Sequence, residues 1–134
     1  MLLMRTAVQS MTAWEGATIV RMARIVDEED DPIVQADVSS IAYKVYSLAS
    51  SGGSTAATQT STGSLTKTEV IYDTLQTTRG WQVDRTGYNL RWVIPGSLRP
   101  TGGVVYLFEV VFTMGNGVVI ADVFKSSAAN LHGS

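Results

Sequence analysis

Residues 104–125 read Val-Val-Tyr-Leu-Phe-Glu-Val-Val-Phe-Thr-Met-Gly-Asn-Gly-Val-Val-Ile-Ala-Asp-Val-Phe-Lys, two apolar runs on either side of a Gly-Asn-Gly segment. β-branched and aromatic residues dominate both runs, and such residues favour β-strands. An Asn-Gly step between two runs of this kind indicates a hairpin, because the tightest hairpin turns need positive φ. The stretch therefore predicts two antiparallel strands joined by a short turn.

The position of the turn decides which residues lie opposite each other. A two-residue turn at 116–117 places Glu109 opposite Phe124. A turn at 115–116, or a loop of all four residues 114–117, places Glu109 opposite Asp122 instead. Like charges directly opposite each other destabilise a sheet, so the first register is preferred.

Both registers distribute the side chains over the same two faces, because side chains alternate along a strand. One face is predicted to be core and carries Tyr106, Phe108, Val110, Phe112, Val119, Ala121 and Val123. The other face is more apolar than a solvated face should be. A second segment of the chain covers it, or it is a subunit interface, since exposed apolar patches mark contact sites. The predicted interface residues are Leu107, Val111, Val118, Ile120 and Phe124.

The composition indicates one domain with few charges. A chain of 134 residues fits a single domain with a substantial core. Hydrophobic residues make up 45% and charged residues only 16%, which suits a surface partly covered by partners. The net charge of −2 and the scattered Lys and Arg residues argue against nucleic acid as a partner.

Several kinds of chemistry and targeting are not expected from this sequence. The chain has no cysteine, which excludes disulfides, thiolate catalysis and cysteine-ligated zinc. The first residues, Met1 to Arg5, lack the basic region and long apolar stretch of a signal peptide. The longest uncharged apolar run is far shorter than the roughly 18 residues of a membrane-spanning helix. No membrane insertion is therefore expected.

Along the rest of the chain, short apolar runs alternate with turn residues. We predict strands over 17–27, 39–48, 65–75, 81–83 and 88–94, besides the final hairpin. Residues 1–16 are predicted to be an N-terminal arm or edge strand, 49–63 a mobile loop of low complexity, and 126–134 a frayed C-terminus. The body, 17–125, is predicted to be an all-β, antiparallel sandwich of seven to eight strands.

An acidic run, Asp27 to Asp31, precedes Pro32. Adjacent carboxylates repel each other and stay solvated, and proline cannot donate a hydrogen bond to a sheet. We predict a turn between strands. A calcium loop is the alternative, although the spacing of an EF-hand is absent.

The run 84–90, Asp-Arg-Thr-Gly-Tyr-Asn-Leu, resembles the tyrosine corner of immunoglobulin-like sandwiches. In those domains an Asp lies four residues before the Tyr, as Asp84 does here before Tyr88, with Gly87 at the turn between them. Leu90 stands where antibody domains have a cysteine. The resemblance implies an immunoglobulin-like sandwich without the antibody disulfide.

The stretch from Trp81 through Asp84 and Gly87-Tyr88-Asn89 to the final hairpin also resembles short structural proteins of phages and prophages. That resemblance implies a virion component, such as a capsid-decorating, head–tail connector or tail protein, and it brings no catalytic residues. The hypothesis is a non-enzymatic subunit that forms homo-oligomers or binds other structural subunits. Its location would be the virion if the protein is phage-derived, and is otherwise undetermined.

The single histidine, His132, is too close to the C-terminus for a catalytic triad or a metal site. Two other functions are rivals to the structural role. Glu109 and Asp122 share a face of the predicted hairpin, so a carboxylate hydrolase is one rival. A carbohydrate- or ligand-binding module is the other, using Trp14 or Trp81 with the 49–63 loop. No cofactor or metal is predicted.

Overall fold

The computed structural model describes residues 2–3, 8–9, 13–51 and 54–129. These residues form ten strands, one helical turn and two 3₁₀ turns. The strands are β1 (Leu2–Leu3), β2 (Val8–Gln9), β3 (Ala13–Trp14), β4 (Ile19–Ala23), β5 (Val38–Ser51), β6 (Ser54–Leu65), β7 (Ile71–Gln76), β8 (Tyr88–Ile94), β9 (Val105–Met114) and β10 (Val119–Ala129). The helical turn is α1 (Lys67–Val70), and the 3₁₀ turns span Gln35–Asp37 and Gly96–Leu98.

Two sheets pack face to face. The larger sheet has the order β1-β10-β9-β5-β6, with β3 also paired to β10, and the smaller sheet has the order β2-β4-β8-β7. Every pair is antiparallel except β1 with β10 and β3 with β10. The predicted all-β, antiparallel sandwich is confirmed, and its body consists of the seven strands β4 to β10.

The strand order is that of an immunoglobulin-like domain. In chain order, β4 to β10 correspond to immunoglobulin strands B, C, C′, D, E, F and G, and β2 corresponds to strand A. The smaller sheet then reads A-B-E-D and the larger one G-F-C-C′, as in domains that add C′ to the GFC sheet. The immunoglobulin-like class predicted from the sequence is therefore confirmed.

The final hairpin differs from both predicted registers. The main-chain N–H of Met114 donates to Val118 at 2.8 Å, and that of Gly117 donates to Met114 at 2.9 Å. Gly117 has φ of 89°, so the loop is a three-residue connection with a left-handed glycine at its end. Glu109 consequently lies opposite Val123, and Asp122 lies opposite Val110.

A register shift of one residue turns every side chain of β10 to the other side of the sheet. Ile120 is 0% exposed in the core, and the ring of Phe124 stacks on Phe108 with centroids 4.9 Å apart. Val118 also packs against the core, whereas Val123, predicted to be core, is 46% exposed. The prediction that Val118, Ile120 and Phe124 lie on the outer side is therefore wrong.

The apolar side chains form two clusters. The main core lies between the sheets and contains Leu90, Trp92, Ile94, Phe108 and Phe112, among others. A smaller cluster contains Met22, Trp81 and Tyr88, with Val20 and Tyr72 packed against it. The alternation predicted for 88–94 is confirmed for Leu90, Trp92 and Ile94, but Tyr88 belongs to the smaller cluster.

Four predicted segments are different in the structure. Most of 49–63, predicted as a loop, is strand, because β6 pairs with β5 from Ser54 to Leu65 and the Thr residues of this segment favour strand geometry. Residues 126–129, predicted to fray, extend β10, while 130–134 lie outside the described residues. Residues 65–75 divide into α1 and β7, and 81–83 form no strand.

The N-terminal region supplies short strands, and the acidic run forms a turn. Residues 2–3, 8–9 and 13–14 form the short strands β1, β2 and β3 at sheet edges, and residues 15–16 form a turn. The carboxylate of Asp27 accepts the main-chain N–H groups of Glu29 and Asp31, which closes the predicted turn. Over the described ranges, no group of three or more acidic, histidine or cysteine residues is placed to hold a metal ion. The helices in those ranges are also too short or too polar to cross a membrane.

Candidate interaction surface

The candidate site is the side of the larger sheet that points away from the smaller sheet, called the outer face below. Burial alternates along β9, with Tyr106, Phe108, Val110, Phe112 and Met114 buried and the residues between them half-buried. The half-buried residues of β9 lie on the outer face, and so do the residues of β5 and β10 that pair directly with them. Its central members are Ala42, Lys44, Tyr46, Leu48, Leu107, Glu109, Val111, Val119 and Val123.

The outer face combines an apolar centre with a balanced charge pair. Tyr46 lies opposite Leu107, and Ala42 lies opposite Val111. Lys44 lies opposite Glu109, so the positive and negative charges near the middle of the sheet are neighbours. This pair is neutral, but Lys125 lies opposite Leu107 on the same face and adds one positive charge beside it.

Only part of the interface predicted from the sequence lies on the outer face. Leu107 and Val111 are there, as expected. Tyr46 and Val123 were missed as members of the same surface, because their positions follow from strand pairing. The alternation of Tyr46 with Val45 was visible in the sequence, but not its pairing with β9.

Directly behind the outer face, an ion pair joins the two sheets. Arg21 on β4 donates from Nη2 to Asp122 Oδ1 at 2.6 Å and from Nε to Asp122 Oδ2 at 3.1 Å. The side chains are 9% and 2% exposed, and the Arg21 guanidinium lies 4.1 Å from the centroid of the Phe124 ring. Asp122 therefore points inward while Glu109 points outward, which contradicts the shared-face geometry of the carboxylate hydrolase hypothesis.

The predicted corner is a compact hydrogen-bonded turn. Asp84 Oδ1 accepts the main-chain N–H of Gly87 at 3.0 Å and Nε1 of Trp81 at 3.2 Å, while Oδ2 accepts Nη1 of Arg24 at 2.8 Å. The Gly87 hydrogen bond, followed by the Arg24 one, lowers the pKa of Asp84 to about 2. Gly87 has φ of 103°, so the left-handed turn suits glycine.

Tyr88, however, is not the immunoglobulin-type corner tyrosine. It begins β8, which corresponds to strand E, and its buried hydroxyl has no hydrogen-bond partner in the structure. Tyr106 is near the start of β9, which corresponds to strand F, and its hydroxyl accepts the main-chain N–H of Thr101 at 3.1 Å. A buried tyrosine near the start of strand F, bonded to main chain a few residues upstream, defines the tyrosine corner. The resemblance at 84–90 thus identified the fold class but placed the corner on the wrong strand.

A buried arginine anchors the N-terminal region. Arg99 donates from Nη1 to the carbonyls of Trp14 and Ala17 and from Nη2 to the carbonyl of Ser127. Its own carbonyl accepts the N–H of Gly16 at 2.8 Å. Burial lowers the pKa of the Arg99 guanidinium. These contacts hold the segment around Trp14 against the end of β10.

The two tryptophans predicted as possible ligand contacts have opposite environments. Trp14 is 57% exposed, whereas Trp81 is 7% exposed and packs against Tyr88 with ring centroids 5.5 Å apart. The Trp81 indole N–H is also engaged by Asp84. Trp14 can therefore offer a ring to a ligand, and Trp81 is a packing residue.

Two open clefts adjoin β6. One has a volume of about 310 Å³ and is lined by Thr60 and Ser61 together with Leu98 and Tyr106. The other has a volume of about 340 Å³ and is lined by Ser64, Leu65, Arg91 and Trp92, among others. Both are shallow, so neither has the enclosed apolar shape of a typical small-molecule site.

Comparison with known proteins finds only distant structural neighbours. No protein family matches the sequence, and no curated protein does. The sporulation control protein Spo0M from Bacillus subtilis is 9% identical, with a TM-score of 0.46, over 93% of this chain and 48% of Spo0M. Murine CRIg is 9% identical, with a TM-score of 0.39, over 95% of this chain and 98% of CRIg. The chain thus spans about half of Spo0M, and its assignment as an immunoglobulin-like sandwich rests on its own strand order.

Proposed function

We propose that this protein is a non-enzymatic structural subunit that assembles with further subunits through the outer face. The observation that carries the proposal is the apolar centre formed by Tyr46, Leu107, Val111 and Val123, with Val123 46% exposed. Apolar side chains gathered on one face of a sheet mark contact sites, whereas a solvated face is usually more polar.

The size of the outer face supports this role. Four strands, β10, β9, β5 and β6, lie side by side, and β9 is 10 residues long. With strands about 4.8 Å apart and about 3.4 Å per residue, the face measures roughly 650 Å². This is below the about 800 Å² that a standard interface buries on each partner, but above the about 500 Å² per partner of the smallest biological interfaces.

The assembly that we propose is a phage-type virion, with the protein as a capsid-decorating, connector or tail component. The support is the sequence resemblance around 81–125 and the low charged fraction of 16%. Immunogold labelling of purified particles, induced from the genome that encodes the chain, tests this. Labelled particles are expected, and unlabelled particles from an expressing strain would contradict the virion assignment.

Light scattering coupled to size exclusion tests the outer face. We expect the native chain to form an oligomer whose proportion increases with concentration. Leu107→Asp should remove the association that depends on the outer face, because a carboxylate would be desolvated at the centre of that interface. Val93→Asp is the matched control, since Val93 is 47% exposed on the smaller sheet. A native chain that stays monomeric at high concentration would contradict the proposal.

A ligand-binding module remains the second candidate, because Trp14 is 57% exposed. Exposed indoles stack on sugars and other flat ligands through the ring face. Quenching of tryptophan fluorescence by glycans, compared between the native chain and Trp14→Phe, tests this function. Binding that is lost in the variant supports the module, and no binding across a glycan array counts against it.

A further inference from the structure

The outer edge of β6 differs from the other edges of the two sheets. Within the described residues β6 pairs only with β5, so its second side is open along the larger sheet. The strand spans 12 residues, Ser54–Leu65, and contains no charged residue and no proline. An open edge presents a row of unpaired main-chain N–H and C=O groups, which readily pair with another strand.

The remaining edges carry features that discourage pairing. Within the described ranges, the far edges of both sheets carry the two-residue strands β1, β2 and β3. β7, at the fourth edge, has a broken register between Ile71 and Gln76 and includes Asp73. Short strands, irregular register and charge are the usual means of protecting an edge. β6 has only one irregularity, near Thr60, where its register with β5 shifts.

The edge is also accessible. Residues 56–60 are exposed, and the two clefts of about 310 and 340 Å³ adjoin β6 at Ser61 and Ser64. The hydroxyls of Thr60 and Thr62 donate to the carbonyls of Val45 and Tyr43 on β5. These side chains strengthen the inner side of β6 and leave its outer side to a partner.

We propose that β6 pairs antiparallel with β6 of a second copy of this chain around a two-fold axis. A strand without charge can pair with itself, because no like charges come to lie opposite each other, and Thr and Ser pairs across strands are favourable. A two-fold contact uses the open edge of both copies, so the assembly closes as a dimer. The two larger sheets then become one continuous sheet. This surface is separate from the outer face and extends the proposed function.

Single cysteines test the pairing directly, because the native chain has none. Partners in an antiparallel ladder have Cα atoms about 4.5–5.5 Å apart, within the roughly 4.4–6.8 Å that a disulfide spans. We expect diamide to cross-link dimers of variants along β6, made one at a time: Ala56→Cys, Ala57→Cys, Thr58→Cys, Gln59→Cys and Thr62→Cys. The yield should peak at the position beside the two-fold axis. Thr74→Cys on β7 is the control, and yields no higher than the control at every β6 position would overturn the proposal.

A charge on the edge gives a second measurement. Lysine placed at the β6 position with the highest cross-linking yield should weaken dimerisation at least about tenfold in sedimentation equilibrium, since that position lies beside the two-fold axis and the new charges of both copies come together. Thr74→Lys, the same change on β7, should leave dimerisation unchanged. Equal dimerisation of this β6 lysine variant and the native chain would count against edge pairing.

The same experiments separate the edge from the outer face. Cross-linking on β6 that persists in the Leu107→Asp background supports edge pairing, whether or not larger oligomers are lost. Loss of oligomers in Leu107→Asp, with no cross-linking in any β6 variant, overturns edge pairing and retains the proposed outer-face assembly.

Discussion

Replacement of Asp122 by alanine is expected to be among the most damaging single changes in this protein. The change removes both acceptors of Arg21, whose donors lie 2.6 and 3.1 Å from the carboxylate oxygens. The arginine stays charged at a site where its side chain is 9% exposed. Each orphaned donor costs about 1–3 kcal/mol, and breaking a buried pair costs about 3–5 kcal/mol. We therefore expect a loss of about 4 kcal/mol in the free energy of unfolding.

Urea denaturation measures this loss through the midpoint of unfolding, with the slope m unchanged if the native and unfolded states are otherwise alike. A domain of this size has roughly 5–15 kcal/mol of stability, so Asp122→Ala should unfold at a much lower urea concentration. Glu109→Ala, on the other side of the sheet, should change stability by less than about 0.5 kcal/mol.

A double variant tests the physical reason. Arg21→Met combined with Asp122→Leu removes both charges and fills the space with apolar atoms. Such replacements of buried ion pairs are often neutral or stabilising by about 1–4 kcal/mol. The double variant should therefore be clearly more stable than Asp122→Ala. The reasoning is refuted if Asp122→Ala loses less than about 1 kcal/mol, or if the double variant is as unstable as Asp122→Ala.

The remaining predictions concern the two turns and their tyrosines. The pKa of Asp84 is lowered from 3.8 to about 2, so its stabilising contribution is complete above about pH 4 and disappears as the pH falls towards 2. Asp84→Asn should lower the melting temperature at neutral pH, and the difference from the native chain should shrink over that acid range. Tyr106→Phe should cost about 1–3 kcal/mol in urea denaturation, because a main-chain N–H loses its acceptor, whereas Tyr88→Phe should be neutral or slightly stabilising. A larger loss for Tyr88→Phe would contradict the corner assignment. Gly87→Ala should destabilise by more than about 2 kcal/mol, because its φ is 103° and a Cβ would clash with the main-chain oxygen of Gln76. Gly80→Ala has φ of 83° with open space around the Cβ and should cost about 1 kcal/mol; equal losses would show that the contact is unimportant.

Much of the fold could be predicted from local patterns. The alternation from Leu90 to Ile94 depends only on the period of a strand, and the structure confirms it. The Gly-Asn-Gly segment indicated a hairpin correctly, but its three-residue loop was not distinguishable from loops of two or four. The difference of one residue in loop length decided on which side of the sheet Ile120 and Phe124 lie.

The candidate surface was predictable only in part for the same reason. Leu107 and Val111 were assigned correctly because their face follows from β9 alone. The position of Tyr46 beside Leu107 could not be predicted, because it follows from the pairing of β5 with β9. The Ser- and Thr-rich segment before Leu65 has little apolar content, and its strand depends on the long ladder with β5.

The sequence by itself determined that the chain is an all-β domain with alternating strands, because strand propensity and side-chain period are properties of neighbouring residues. The tertiary structure alone decided the face of each strand, the tyrosine that forms the corner and the partner of Asp122. Arg21 and Asp122 are 101 residues apart in the chain, and Tyr106 is identified by the order of strands in the sheet. The reason is physical: the register is selected by burial across the whole sandwich, and a shift of one residue exchanges core and surface.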